Sequence, residues 1–308
     1  MSSQVPPTLG DIIEDMKKNI TDVFARLTNE TKTNIIIPER NKEPMTEKEY
    51  NEIEAVRRSD LLKLRKSPLH YWWAKNNPEP DDSPAKIFGS ACHKYVLEGT
   101  AAFGREYAVA PAVDRRTKQG KEEREIFKLE NEGKTVINPD DFEKIRDMKR
   151  ALREHPTAMT LLSGDHEQTY VWTDDETGEK CKIRVDCVSY EDSRPVLVDY
   201  KTVRSCEDGV FERECRSFGY KIQAGMYTEG FTLNTFLETT FIFVCQEKEA
   251  PYAVRVYYCD PGFIDQGREQ FHTLLRYFHQ CRTENNWPGY TDGYLTADEW
   301  EEAAEEGV

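Results

Sequence analysis

The hydrophobic pattern is clearest in EQTYVWTDDETGEKCKIRVDCVSYEDSRPVLVDYKT, residues 167–202, where runs of Val, Ile, Tyr and Trp alternate with clusters of Asp, Gly, Ser and Pro. This pattern predicts three strands, Glu167 to Trp172, Lys180 to Tyr190 and Val196 to Thr202, with a turn over DDETG and a polar loop closed by Pro195. Residues two apart share a strand face, so Cys181, Ile183, Val185 and Cys187 form an apolar row and leave Lys182, Arg184 and Asp186 opposite them. In the third strand Asp199 and Lys201 point to one side, Val198 and Tyr200 to the other. If the strands pair, Asp186 and Asp199 converge on a common face with Lys201 beside them.

Helical spacing dominates elsewhere. Residues 1 to about 50 carry a weak amphipathic helix (Ile12, Ile13, Met16, Ile20, Val23, Phe24, Leu27) and a polar linker or extended arm. Ser59 is placed to cap DLLKLRK, and SPLHYWWAKNN gathers Tyr71, Trp72 and Trp73, either as core or as a surface for stacking bases. A helix from Ala85 to Leu97 buries Phe88, Ala91, Cys92, Tyr95 and Val96, with Gly89, His93 and Leu97 on another face. The small Gly89 and Ser90 let a ligand approach His93, which otherwise reads as a structural histidine. A basic loop with Arg115, Arg116, Lys118 and Lys121 precedes a helix running from near Lys121 to Gly133, an arrangement that suits a phosphate or a solvated loop. Asn138 and Pro139 open a helix to about His155, with Arg146, Lys149, Arg150 and Arg153 on its basic face. A helix from Phe218 to Glu229, ended by Gly230, places Gln223 and Tyr227 on one face. Two further strands, Glu238 to Gln246 and Tyr252 to Asp260, precede a helix from Gly262 to Thr283. Its His272 and His279 stand ~10 Å apart by helical rise, too far to share a metal.

Composition narrows the class. The chain has 308 residues, 38% hydrophobic and 32% charged, enough for one elaborated domain or two small ones, and no apolar run approaches membrane-spanning length. The start lacks the pattern of a secretory signal, so a cytoplasmic protein is expected. Eight cysteines without a C-x-x-C pair suggest buried thiols rather than zinc or an iron–sulfur cluster. The domain is expected over 51–290, between an arm at 1–50 and an acidic tail at 291–308. A net charge of -15 argues against a protein that coats nucleic acid indiscriminately, though a DNA enzyme needs only local basic surface.

Two carboxylates held within ~5 Å repel unless one is protonated or a cation lies between them. Mg²⁺ fits, because it takes oxygen ligands and bridges carboxylates to phosphate oxygens, and Lys201 could steer or deprotonate an attacking water. The alternative is an ordinary surface ladder of opposite charges.

The order of motifs decides between these. G-x-x-x-H, then D, D-x-K-T and Q-x-x-x-Y, carried here by Gly89–His93, Asp186, Asp199–Thr202 and Gln223–Tyr227, resembles the PD-(D/E)XK nuclease superfamily and its RecB-like exonuclease branch. RRTKQGKEE, GEKCKIRVDCV, DYKT and KIQAGMYTEGF are similar, in the same order, to the exodeoxyribonuclease VIII (RecE-type) nuclease domains, over roughly Ser59 to Pro288. The resemblance implies an α/β (α+β) fold with a central mixed sheet flanked by helices. It implies that Asp186, Asp199 and the Tyr200 carbonyl bind metal, that Lys201 activates water, and that His93 lies at the metal. Gln223 and Tyr227 would orient the centre, with Glu167 in support. It further implies Mg²⁺ (or Mn²⁺) dependence, 5′ to 3′ exonuclease action on double-stranded DNA, a homotetramer, and a single-strand-annealing recombinase of the RecT type as partner. A metal-dependent endonuclease and a non-catalytic DNA-binding accessory protein are the alternatives. The superfamily's Pro-Asp is Val185-Asp186 here.

Overall fold

Dipeptides ending in proline set much of the helical frame. Ser67-Pro68, Ser83-Pro84, Asn138-Pro139, His155-Pro156 and Asp260-Pro261 each place a capping side chain before a proline in the first helical turn. The cap accepts an otherwise unpaired N–H and proline lacks the N–H that would go unpaired there. The structure, a computed structural model, describes residues 45–78, 83–114 and 116–292. The expected helix near residue 12, the polar arm before residue 45, Arg115 and the acidic tail after residue 292 lie outside the described residues.

In chain order the elements are α1 (Glu47–Glu52), α2 (Arg58–Lys66), α3 (Pro68–Asn76), α4 (Pro84–His93), a π-helical turn (Lys94–Glu98), α5 (Gly99–Glu106), β1 (Tyr107–Val109), α6 (Lys118–Glu130), β2 (Thr135–Ile137), α7 (Pro139–Arg153) and α8 (Pro156–Leu161). There follow β3 (Asp165–Thr173), β4 (Lys180–Glu191), β5 (Arg194–Val203), α9 (Asp208–Ser217), α10 (Tyr220–Thr235), β6 (Thr240–Glu247), β7 (Val254–Tyr258) and α11 (Pro261–Glu284). β1 and β2 form a small parallel pair. The main sheet is mixed, in the order β3-β4-β5-β6-β7, with only the β5–β6 pair parallel.

Helices cover both faces of this sheet. One core joins Leu61 and Leu64 of α2, Ile222 and Met226 of α10 and Phe271 and Leu275 of α11 to Leu197, Phe241 and Phe243 of the strands. The other joins Phe88 and Cys92 of α4 and Ile145 and Met148 of α7 to Val196, Val198, Tyr200 and Val244. Strict alternation along β5 and β6 feeds the two cores in turn.

Four expectations require correction. Cys187 does not continue the row of Cys181, Ile183 and Val185; it enters the opposite core, because β4 reverses its faces at Asp186. The helix with His93 is not α-helical to Leu97: a wider π turn follows His93 and rotates Leu97 into the core. Gly230 does not end α10, which runs on to Thr235; a Cβ there would run into the Trp172 ring, so glycine serves close approach. Ser59 lies inside α2, and Asp60 takes the Arg57 N–H instead. Of the aromatic cluster, Tyr71 is core, whereas Trp73 is 60% exposed.

Residues before the sheet are fastened to it. Val56 forms a parallel bridge with Cys181, and the buried Lys182 ammonium donates to the carbonyls of Tyr50 (2.6 Å) and Ile53 (2.8 Å). This segment lies beside the half of β4 that β5 does not pair.

Candidate active site where β4 and β5 part

Pairing between β4 and β5 stops at Cys187↔Val198, although each strand continues with its other neighbour. Beyond that rung the Tyr200 N–H donates to Asp186 Oδ2 (2.9 Å). A carboxylate thus replaces the missing backbone acceptor, which fixes Asp186 at the mouth of the gap. On the outer side, the registers Gln168↔Val185 and His166↔Cys187 set Glu167 opposite Asp186. Glu167 is in the left-handed region, φ 55°, at a cost of about 1–2 kcal/mol for a residue with a Cβ. Both strands therefore kink at the same rung, and two acids meet there.

His93, at the end of α4, closes the group. Its Nε2 lies 2.8 Å from Asp186 Oδ2 and its Nδ1 3.5 Å from Glu167 Oε1. The Arg184 Nε sits 2.8 Å from Glu167 Oε2, its guanidinium 5.1 Å above the Tyr50 ring. On β5, Asp199 and Lys201 share a face as alternation requires, with Nζ 2.6 Å from Asp199 Oδ2. The Gln223 side-chain amide, buried in α10, donates to Asp199 Oδ1. Tyr227, one turn on, packs its ring edge-on to Phe241, and its buried phenol feels the charges of Asp199 and Asp186. A cleft of about 340 Å³ opens beside the group, lined by His93, Glu167, Arg184, Tyr200, Lys201 and Lys86 among others, though neither Asp186 nor Asp199 lines it.

Electrostatics divide the acids. Burial pushes the Asp199 carboxyl up, against the pull of Lys201 and with that of Asp186. Burial likewise raises Glu167, outweighing His93 and Arg184. For Asp186, burial is overcome by the His93 charge and hydrogen bond and by Lys201, so its carboxyl is held low. Burial acts downward on His93, but Asp186 and Glu167 prevail and push it up to about 9.

The donors suit a divalent cation. Among the described residues, ligand atoms of His93, Glu167 and Asp186 lie within 4.8 Å of one another. Asp199 is outside that trio, and its buried Oδ2 faces the Lys201 ammonium at 2.6 Å.

The sequence matches, over residues 58–295, the family described as a PDDEXK-like domain of unknown function, DUF3799. The chain belongs to this family. No curated protein matches. A solved structure from Eubacterium rectale, described as a candidate exonuclease, covers 84% of this chain and 98% of its own at 13% identity, with a TM-score of 0.56. A second, SSO0001, covers 84% and 86% at 13% identity with a TM-score of 0.35, too low to bear on the fold. The PDDEXK-like core is the mixed sheet with helices on both faces described above, and with donor groups able to hold a metal ion it supports a hydrolase of nuclease type.

The other residues singled out in the sequence lie elsewhere in this PDDEXK-like domain. Arg116 is paired with Asp114 (3.0 Å) and Lys118 with Glu122 (3.8 Å), away from the cleft lining. Lys121 lies in the first turn of α6, which starts at Lys118 under a Thr117 cap. Arg146 and Arg150 line a separate basic hollow of about 200 Å³ with Tyr95, Lys149 and Arg153. Sequence reasoning passed over Arg184 as the partner of Glu167, although its place two residues before Asp186 on one strand was the available signal. Among the described residues a second donor group, Asp174, Glu229 and His272, is also able to chelate a divalent ion.

Proposed function

We propose that this domain is a metal-dependent DNA exonuclease, acting 5′ to 3′ on linear double-stranded DNA to leave 3′ overhangs for single-strand annealing. The observation that carries the reading is the meeting of His93, Glu167 and Asp186 with the Asp199–Lys201 pair at the parting of β4 and β5, beside an open cleft that His93, Glu167 and Lys201 line.

Asp186, Glu167, His93 and Asp199 would hold Mg²⁺ or Mn²⁺, with the Tyr200 carbonyl as a further ligand. When bound, the cation supplies charge against the developing phosphate oxyanions and lowers the pKa of water. Lys201 is placed to hydrogen-bond the attacking water or to meet growing negative charge, since its Nζ is anchored on Asp199 and 5.0 Å over the Tyr220 ring. Gln223 fixes one Asp199 oxygen and leaves the other to Lys201. Arg184 keeps Glu167 oriented despite its burial.

Exonuclease action is supported by the motif order RRTKQGKEE, VDCV, DYKT and KIQAGMYTEGF and by the description of the similar Eubacterium rectale protein. Arg116, Lys118, Lys121, Arg146 and Arg150 are proposed to contact DNA phosphates, Arg115 joining them from the basic loop. A homotetramer that hands its product to an annealing recombinase of the RecT type completes the proposal. The test is digestion of duplexes labelled at one 5′ end, with and without Mg²⁺, beside covalently closed circles. The proposal requires label release from linear DNA and intact circles. Nicked or linearised circles would establish an endonuclease, and tight binding without any cleavage a DNA-binding accessory protein.

A further inference from the structure

Asp174, Glu229 and His272 lie outside the reactive cleft, and their donor atoms fall within 4.8 Å of one another. His272 Nε2 is 2.9 Å from Glu229 Oε2, and Nδ1 is 3.6 Å from Asp174 Oδ1. The group is built by contacts that do not involve its own charges. A Cβ on Gly225 would run into the Arg268 backbone and one on Gly267 into that of Lys221, so α10 and α11 touch there. Glu229 stands one turn beyond Gly225, and His272 little more than one turn beyond Gly267, so the crossing brings them face to face. Asp174 is set by a turn: its Oδ2 accepts from the Thr177 N–H (2.8 Å) and hydroxyl (2.7 Å). That leaves Oδ1 for another partner.

Exposure also fits an ion that keeps some water. The side chains of Asp174, Glu229 and His272 are 5%, 13% and 27% exposed. Arg268 is a weak competitor, with Nε 3.4 Å from Glu229 and its Nη1 engaged by Asp265 at 2.8 Å.

We propose that Asp174, Glu229 and His272 form a second metal site, for a transition ion such as Zn²⁺ or Mn²⁺, that clamps α10, α11 and the turn after β3. One imidazole with two carboxylates suits these ions. The three donors come from three elements far apart in sequence, so the ion ties the turn after β3 to the crossing of α10 and α11. α10 also carries Gln223, so the clamp steadies the helix behind Asp199. The site does not depend on the nuclease reading.

The test uses the full chain with Asp186→Asn and Asp199→Asn, which weaken the reactive centre as a metal site. After chelation and dialysis, Zn²⁺, Mn²⁺ or Mg²⁺ is added, bound ions are counted and thermal unfolding is followed. One tightly held equivalent of Zn²⁺ or Mn²⁺ is expected, with the midpoint raised by about 5–10 °C at a hundredfold excess over Kd. Asp174→Asn, which keeps an acceptor for Thr177, and His272→Gln should each remove both the equivalent and the shift. Co²⁺ should give a visible absorption band that the same two substitutions abolish. No bound equivalent, or one indifferent to both substitutions, would overturn the site and leave a histidine side chain wedged between two carboxylates.

Discussion

In the metal-free centre the His93 imidazole faces Asp186 and Glu167 through its two nitrogens, and these acids hold it protonated until about pH 9. A cation requires the neutral ring, so its binding must release that proton. Mg²⁺ or Mn²⁺ affinity should therefore rise with pH between about 6.5 and 9, approaching tenfold per unit while one proton leaves. Titration calorimetry in buffers of different ionisation enthalpy reads the proton directly, and His93→Gln should flatten the dependence. In the absence of metal the sign reverses for stability: the raised pKa contributes fully below about 6.5 and its contribution is lost as pH climbs through about 9. Gln223 acts one step back, through Asp199. Gln223→Leu should lower metal affinity or turnover by ~10- to 100-fold, as loss of a group orienting a ligand does, with the unfolding midpoint showing that the fold survives.

At the scale of elements, the tight crossing of α10 and α11 is the most demanding contact. Gly225→Ala should cost about 2–3 kcal/mol in urea unfolding, since the new methyl meets the backbone around Arg268. Gly104→Ala in α5 has open space around it and should stabilise by about 0.4–1 kcal/mol. The comparison also marks what periodicity could tell. Strand alternation was enough to put Asp199 and Lys201 on one side of β5 and Val198 and Tyr200 on the other. It failed at Asp186, because a face reversal comes from the left-handed Glu167 and the end of β4–β5 pairing, neither of which has a compositional mark. Helical spacing put Gln223 and Tyr227 on one face and only the resemblance carried Gln223 to the centre, while neither marked the π turn after His93, where one wider turn looks like ordinary helix in sequence. Gly230 was legible as a special position, yet its reason is the Trp172 ring, a long-range neighbour.

For the whole molecule, a net charge of -15 and a nucleic-acid substrate are compatible only if cations are gathered locally. Among the described residues two places bear on this: the cleft, where Lys86, Lys94, Arg184 and Lys201 stand among Glu47, Glu98, Glu106 and Glu167, and the hollow with Arg146, Lys149, Arg150 and Arg153, which no acid lines. If the second tracks a DNA backbone, Arg150→Gln should weaken binding to all duplex sequences alike and reduce the salt slope by about 1. No helix among the described residues is long and apolar enough to cross a membrane. The central claim is that the acids and the ammonium at the parting of β4 and β5 together cleave the DNA backbone. It is tested most directly by the single-turnover rate of Mg²⁺-dependent cleavage of an end-labelled linear duplex by wild type and Lys201→Ala. Both proteins are first shown to unfold at similar temperature. A fall of ~100- to 1000-fold in the variant is predicted, the usual cost of removing a preorganised group that meets developing charge. A folded Lys201→Ala protein that cleaves at the wild-type rate would contradict the account.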